Sequence, residues 1–248
     1  LFLLDEAGLP RVKAGVPPDY FSKTGQLWGN PLFDWKAHEA DGFTWWTERF
    51  LRALGFCQRV RIDHFRGFAA AWTIPSTAQT AMEGAWNPGP GAKPFAALAK
   101  HLPPDQPLPL IAEDLGTITE DVEALRRALK LPGMKILQFA FQSDGVHPFL
   151  PHNFTSPDTV AYTATHDNDT ARGWYLEADE GQRDRYRRYV GRDGSEPGWD
   201  LIRLAWSSIA ADAIAPLQDV LGLESSHRMN TPGQSVGNWR WRCTGFPK

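Results

Sequence analysis

The stretch Gln58-Arg59-Val60-Arg61-Ile62-Asp63 is a short β-branched run of alternating character, and His64 follows it. The same shape returns twice. Leu108-Pro109-Leu110-Ile111-Ala112-Glu113 runs into Asp114, and a strand read over residues 159–165 runs into His166-Asp167. Each is an apolar strand ending on an ionisable residue. Helical patterns separate them. Trp46, Phe50 and Leu54 fall at i, i+4 and i+8 of an amphipathic helix over 44–54. A helix opening at Thr119 has Glu120 and Asp121 in its first turn and Val122, Leu125 and Leu129 on one face. A further strand is expected over 134–141 and a helix near 180–190. A last helix around 199–215 leads into Leu217-Gln218-Asp219-Val220-Leu221.

Strands alternating with helices mean βα units and a mainly parallel sheet. Five such strands are expected. The fold class is therefore α/β, a (β/α)8 TIM barrel represented by about its last five strands, with loop insertions. In such a barrel the chemistry lies at the C-terminal strand ends, so the ionisable residues there would converge. Residues 1–35 show no helical or strand period. Their Gly/Pro punctuation with Tyr20, Phe21 and Trp28 reads as a lid or binding loop. Residues 36–248 carry the βα units, with an insertion near 69–105 inside a stretch, 64–107, that reads as strand-free. Five strands do not close a barrel, so the 248 residues are expected to be the C-terminal part of a single catalytic barrel domain.

Composition narrows the function. With 26 Lys+Arg against 29 Asp+Glu, a net charge of -3, no basic excess marks a nucleic-acid binder. No apolar run approaches the ~18 residues of a membrane helix, so no membrane partner is expected. Two cysteines, Cys57 and Cys243, exclude a disulfide framework and fit a reducing cytoplasm. Eleven Trp offer flat apolar faces suited to sugar rings.

Asp63, Glu113 and Asp167 suit glycoside chemistry, which needs one carboxylate as nucleophile or base and one carboxylic acid as proton donor. Arg61, two residues before Asp63, points to the same face of its strand and would keep that carboxylate ionised. Plainer roles stand beside these. Arg61 and Asp63 could be a buried structural pair, Glu113-Asp114 a loop start and helix cap, and the 166–170 cluster an Asx-turn with an N-cap or a Ca²⁺-like loop. His64 could be a hydrogen-bonded core histidine. A divalent-metal barrel enzyme would use the same residue types, but the chain has no His-x-His and no His-Glu-x-x-His step. A glucan-binding piece without turnover would need the aromatics alone.

Arg61-Ile62-Asp63-His64-Phe65-Arg66-Gly67-Phe68, Ile111-Ala112-Glu113-Asp114-Leu115-Gly116 and Tyr162-Thr163-Ala164-Thr165-His166-Asp167-Asn168-Asp169-Thr170 resemble the signature blocks of the amylomaltases. These are the 4-α-glucanotransferases, or disproportionating enzymes, of the α-amylase clan. Val16-Pro17-Pro18-Asp19-Tyr20-Phe21-Ser22 with Gly25-Gln26-Leu27-Trp28-Gly29-Asn30-Pro31 is similar to the family's lid. Leu131-Pro132-Gly133-Met134-Lys135 and Arg228-Met229-Asn230-Thr231-Pro232-Gly233 are family-like too. The resemblance spans roughly 5–243. It implies Asp63 as nucleophile on the fourth barrel strand, Glu113 as acid/base on the fifth, and Asp167 on the seventh as the carboxylate that steadies the transition state. It implies Arg61 and His166 as positioning residues, Tyr20, Phe21 and Trp28 on the lid, and Asn230 on a loop near the acceptor side. It implies malto-oligosaccharides and other α-1,4-glucans as substrates, with no cofactor and no metal. The family is about twice this length, so a missing N-terminal barrel segment is the expected companion. An α-amylase-like hydrolase is the neighbouring alternative.

Overall fold

The helix expected over 44–54 forms at Thr44–Leu54, because its apolar stripe has a core to bury into. Trp46 and Phe50 pack with Phe65, Phe68, Phe95 and Leu98, all buried. The computed structural model describes residues 1–18, 22–116, 118–143, 145–234 and 236–245. The chain divides into two units, Leu1–Pro132 and Gly133–Lys248.

In the first unit the elements run β1 (Val12–Val16), β2 (Gln26–Pro31), α1 (Trp35–Ala40), α2 (Thr44–Leu54), β3 (Val60–Ile62), β4 (Ala70–Pro75), β5 (Ala85–Pro88), α3 (Lys93–Ala99), β6 (Leu110–Ala112) and α4 (Glu120–Ala128). β3 and β6 lie parallel, with Val60, Arg61 and Ile62 opposite Leu110, Ile111 and Ala112. β6 is buried along its whole length, as a parallel strand covered on both faces should be. α4 follows Thr119 as expected. Glu120, Asp121 and Glu123 complement the positive end of its dipole, and Arg126 and Arg127 sit in its last turn.

The other four strands correct the reading of residues 1–35 as a loop without strand period and of 64–107 as strand-free. β1, β2, β4 and β5 form one antiparallel sheet in the order β2-β1-β4-β5. β1 pairs with β4 from Val12 opposite Pro75 to Gly15 opposite Trp72. β2 and β5 are largely exposed, so no apolar alternation marks them. Gly15 is required by proximity, since a Cβ there would lie 2.1 Å from the carbonyl oxygen of Gln26. The buried guanidinium of Arg66 lies 3.9 Å from the centre of the Trp86 ring, tying the turn after β3 to β5.

The second unit holds β7 (Gly133–Ile136), β8 (Thr159–Tyr162), α5 (Ala171–Glu177), α6 (Glu180–Val190), α7 (Pro197–Trp206), β9 (Asp212–Ile214) and α8 (Leu217–Val220). β8 is buried throughout and runs parallel to β7 on one side and β9 on the other. α6 matches its expected position, capped by Asp179, whose carboxylate accepts the Gln182 N–H.

Three boundaries move. The strand expected over 134–141 ends at Ile136 and becomes a 3₁₀ turn over Leu137–Phe141. The last helix ends at Trp206, where the Ser207 and Ser208 hydroxyls bond the Leu204 and Ala205 carbonyls. The stretch after it, helix-prone by composition, contributes β9 instead, because pairing with β8 outweighs local propensity. Leu217–Val220, into which the last helix was expected to lead, is a helical turn.

Buried polar groups brace this unit. Asp219 accepts the Thr163 hydroxyl at 2.6 Å and the Ala171 N–H at 2.7 Å, joining the end of β8 to the start of α5. Burial raises its carboxyl above the ordinary aspartate range. Asp200 on α7 accepts the Tyr186 hydroxyl at 3.1 Å and pairs with Arg192 at 2.8 Å and Arg203 at 3.3 Å.

Candidate active site

Asp63 and Glu113 are the first residues beyond β3 and β6, and the parallel register brings those two strand ends level. The ladder continues one step past the strands. Glu113 N–H donates to the Ile62 carbonyl at 3.0 Å, and Phe65 N–H donates to the Glu113 carbonyl at 3.2 Å. Arg61 Nη2 lies 2.8 Å from Asp63 Oδ1, as same-face alternation predicts. The Asp63 side chain is 74% exposed, so this is not a buried structural pair. The carboxylate is mostly exposed to solvent, with the Arg61 guanidinium beside it.

Glu113 has a different environment. Its Oε2 accepts the His64 N–H at 2.6 Å and its Oε1 the Leu115 N–H at 2.9 Å. Burial raises the carboxyl above the ordinary glutamate range. The two amides oppose that rise, Asp63 adds to it, and Arg61 reduces it. Glu113 does not cap α4. Asp114 beside it is engaged by Arg126 at 3.6 Å. His64 is half-buried, and burial with the neighbouring Arg66 lowers its pKa to about 4. Trp28, on β2, is exposed and meets the His64 ring edge-on, with centroids 4.8 Å apart. Tyr20 and Phe21 lie outside the described residues.

In the second unit His166 and Asp167 lie four and five residues beyond the end of β8, on a turn built by their neighbours. Asn168 Oδ1 accepts both the N–H and the hydroxyl of Thr165, at 2.9 and 2.8 Å. Thr170 caps α5 by accepting the Gly173 N–H, and Asp169 Oδ2 accepts the Ser225 hydroxyl at 2.7 Å. The N-cap reading holds for Thr170, whereas the Asn168 and Asp169 side chains reach Thr165, Thr170 and Ser225 and close no Asx-turn. These contacts leave Asp167 and His166 available for chemistry. Asn230 Nδ2 donates to Asp167 Oδ1 at 2.6 Å, and His166 Nε2 lies 3.3 Å from Asp167 Oδ2.

Two residues here were not among the expected site residues. Arg228 Nη2 donates to the Asp167 carbonyl at 2.6 Å and its Nε to the Asn230 carbonyl at 2.7 Å. Trp239, held by its N–H to the Met229 carbonyl, places its ring 5.1 Å from His166. Arg228 belongs to the same sequence block as Asn230, and Trp239 is an aromatic in a polar loop; those were the available signals. Among the described residues no group of three His, Cys, Asp or Glu side chains could hold a metal ion, and no helix is long and apolar enough to cross a membrane.

The sequence profile described as 4-alpha-glucanotransferase matches residues 1–246. The chain is 54% identical over 243 residues to a 4-alpha-glucanotransferase of Synechocystis, covering 97% of this chain and 48% of that protein. It is 50% identical to the 4-alpha-glucanotransferase of Thermus thermophilus, covering 97% of this chain and 49% of that one. Among solved structures it is similar to an amylomaltase from Streptococcus agalactiae in complex with acarbose. That match has 39% identity and a TM-score of 0.91, and it covers 98% of this chain and 49% of the other. The chain thus spans about half the length of the relatives it matches.

Proposed function

The chain belongs to the 4-alpha-glucanotransferase family, and on that premise we propose that it carries the catalytic carboxylates of a retaining 4-α-glucanotransferase. The substrate class is malto-oligosaccharides and related α-1,4-glucans. The fold that goes with this reading is a (β/α)8 barrel, to whose later strands the parallel strands correspond, with both units parts of one catalytic domain. The cytoplasm is its setting.

The contrast between Asp63 and Glu113 carries the proposal. Two carboxylates at level strand ends have environments of opposite kind: one exposed beside Arg61, the other half-buried with its proton affinity raised. Such a pair divides into a base or nucleophile and an acid. Asp63 attacks the anomeric carbon as Glu113 gives its proton to the departing glycosidic oxygen, leaving a glycosyl ester on Asp63. Glu113, now ionised, takes the proton from the 4-hydroxyl of an incoming glucan, and the ester bond breaks as the new glycosidic bond forms. Asp167, oriented by Asn230, supplies negative charge to the oxocarbenium-like transition state. Arg61 holds Asp63, and His166 with Trp28, Tyr20 and Phe21 positions sugar.

Incubation with maltotriose, with and without EDTA, and mass analysis of the products tests this reading. A ladder of longer and shorter glucans, unaffected by chelator, is the expected result. Glucose and maltose alone would make the enzyme a hydrolase, and loss of turnover in EDTA would point to a metal enzyme.

A further inference from the structure

His64 occupies the left-handed region of backbone space, with φ 49° and ψ 53°. Few L residues adopt it, though Asn, Asp and His tolerate it better than most. That conformation bends the chain sharply out of β3, and the amides around the bend converge on one residue. Glu113 N–H reaches Ile62, Phe65 N–H reaches the Glu113 carbonyl, and His64 N–H reaches Glu113 Oε2 at 2.6 Å. The imidazole meets Trp28 edge-on at an interplanar angle of 84°.

We propose that His64 is a positioning residue for Glu113: its left-handed backbone aims an amide N–H at Glu113 Oε2 and fixes the carboxyl at the end of β6. The inference rests on reading Glu113 as the acid/base and adds how that group is held. An N–H only donates, so the amides of His64 at 2.6 Å and Leu115 at 2.9 Å each hold one oxygen of the Glu113 carboxyl and together fix its plane.

The charged groups that act on Glu113 are Asp63 and Arg61, and those that act on the His64 ring are Arg66 and Asp63. Asp114, next in the chain, is engaged by Arg126. With a pKa lowered to about 4, the His64 ring is neutral across the working range. Replacing the ring therefore removes no charge, which leaves the amide and the ring's share in burying Glu113 as the two routes to a change in its titration, and His64→Gly separates them.

The test compares His64→Gly, which adopts positive φ freely, with His64→Val, whose β-branched side chain resists it. His64→Ala, milder in the same direction, serves if His64→Val does not fold. One readout on this chain is the Glu113 midpoint from carbon-13 NMR of labelled glutamate carboxyls, assigned with Glu113→Gln. The other is the alkaline limb of the transfer rate. Taking the amide from Oε2 withdraws a donor that favours the carboxylate. His64→Val is thus expected to raise the midpoint by about one pH unit or more, with the limb following. His64→Gly leaves both in place, whatever it does to kcat. An unmoved midpoint in both His64→Val and His64→Ala overturns the proposal. So does an equal shift in His64→Gly, which would trace the effect to the ring. A midpoint that moves while the limb stays keeps the link from His64 to Glu113 and removes Glu113 as the acid.

Discussion

Asn230 donates its side-chain N–H to Asp167 Oδ1 at 2.6 Å, although 63 residues of chain separate them. The loop after α8 therefore reaches back to orient a carboxylate at the end of β8. A hydrogen bond to a charged group contributes about 1.5–3 kcal/mol, so Asn230→Ala should lower kcat/KM for transfer by about 10–100-fold. Asn230→Asp should do more harm, since it sets two carboxylates in contact. Unchanged kinetics in both variants would show that this contact does not serve the reaction.

Asp63→Asn should abolish turnover, by about 10⁴-fold or more, as expected when a nucleophile is lost. Its side chain is mostly in solvent, so stability should stay within about 0.5 kcal/mol of the parent by urea unfolding. Retained transfer would remove Asp63 from the nucleophile's role.

On the proposed roles, Glu113 is expected to set the pH dependence. Burial raises its carboxyl, so the folded chain binds this proton more tightly than the unfolded chain does. Its contribution to stability is therefore complete below the ordinary glutamate pKa and is lost as pH rises through the raised value. Transfer should fall along the same limb as the acid ionises. Glu113→Gln should cost about 10²–10⁴-fold in rate, while its melting temperature relative to the parent climbs with pH. A melting difference that does not vary between pH 5 and 9 would contradict the shift.

Trp28 stands exposed against the His64 ring, where an aromatic face can shield the glycosyl ester from water. Trp28→Ala should raise hydrolysis relative to transfer. Glucose release per transfer event is the quantity to compare, and an unchanged ratio would take Trp28 off the lid.

Asp200 is a structural carboxylate. Its removal would leave the buried Tyr186 hydroxyl without its acceptor and two arginines without their anion. Asp200→Ala should therefore destabilise the chain by about 2–4 kcal/mol in urea unfolding.

The parallel strands were legible where burial writes itself into sequence. β3, β6 and β8 are short apolar or β-branched runs, and each is followed within five residues by a carboxylate of the proposed site. β1, β2, β4 and β5 were not, because partly exposed antiparallel strands punctuated by Gly and Trp lack an apolar period. β9 was hidden by residues that favour a helix when taken alone. In the proposed site, Asp63, Glu113 and Asp167 were singled out from their positions after strands, and the structure places them after β3, β6 and β8. The contributions of His64, Arg228 and Trp239 depend on a left-handed turn and on loop contacts, neither of which has a sequence period.

β1 is an inner strand, bonded to β2 on one edge and β4 on the other. Residues 12–31 and 70–88 therefore behave as a single inheritable cassette, although a helical stretch and β3 lie between them in the chain. In a chimaera that exchanges the Trp28 segment for a relative's, grafting residues 12–31 alone would carry the Gly15–Gln26 approach with it but mismatch the Val12–Pro75 register between β1 and β4. Both halves have to be transplanted together.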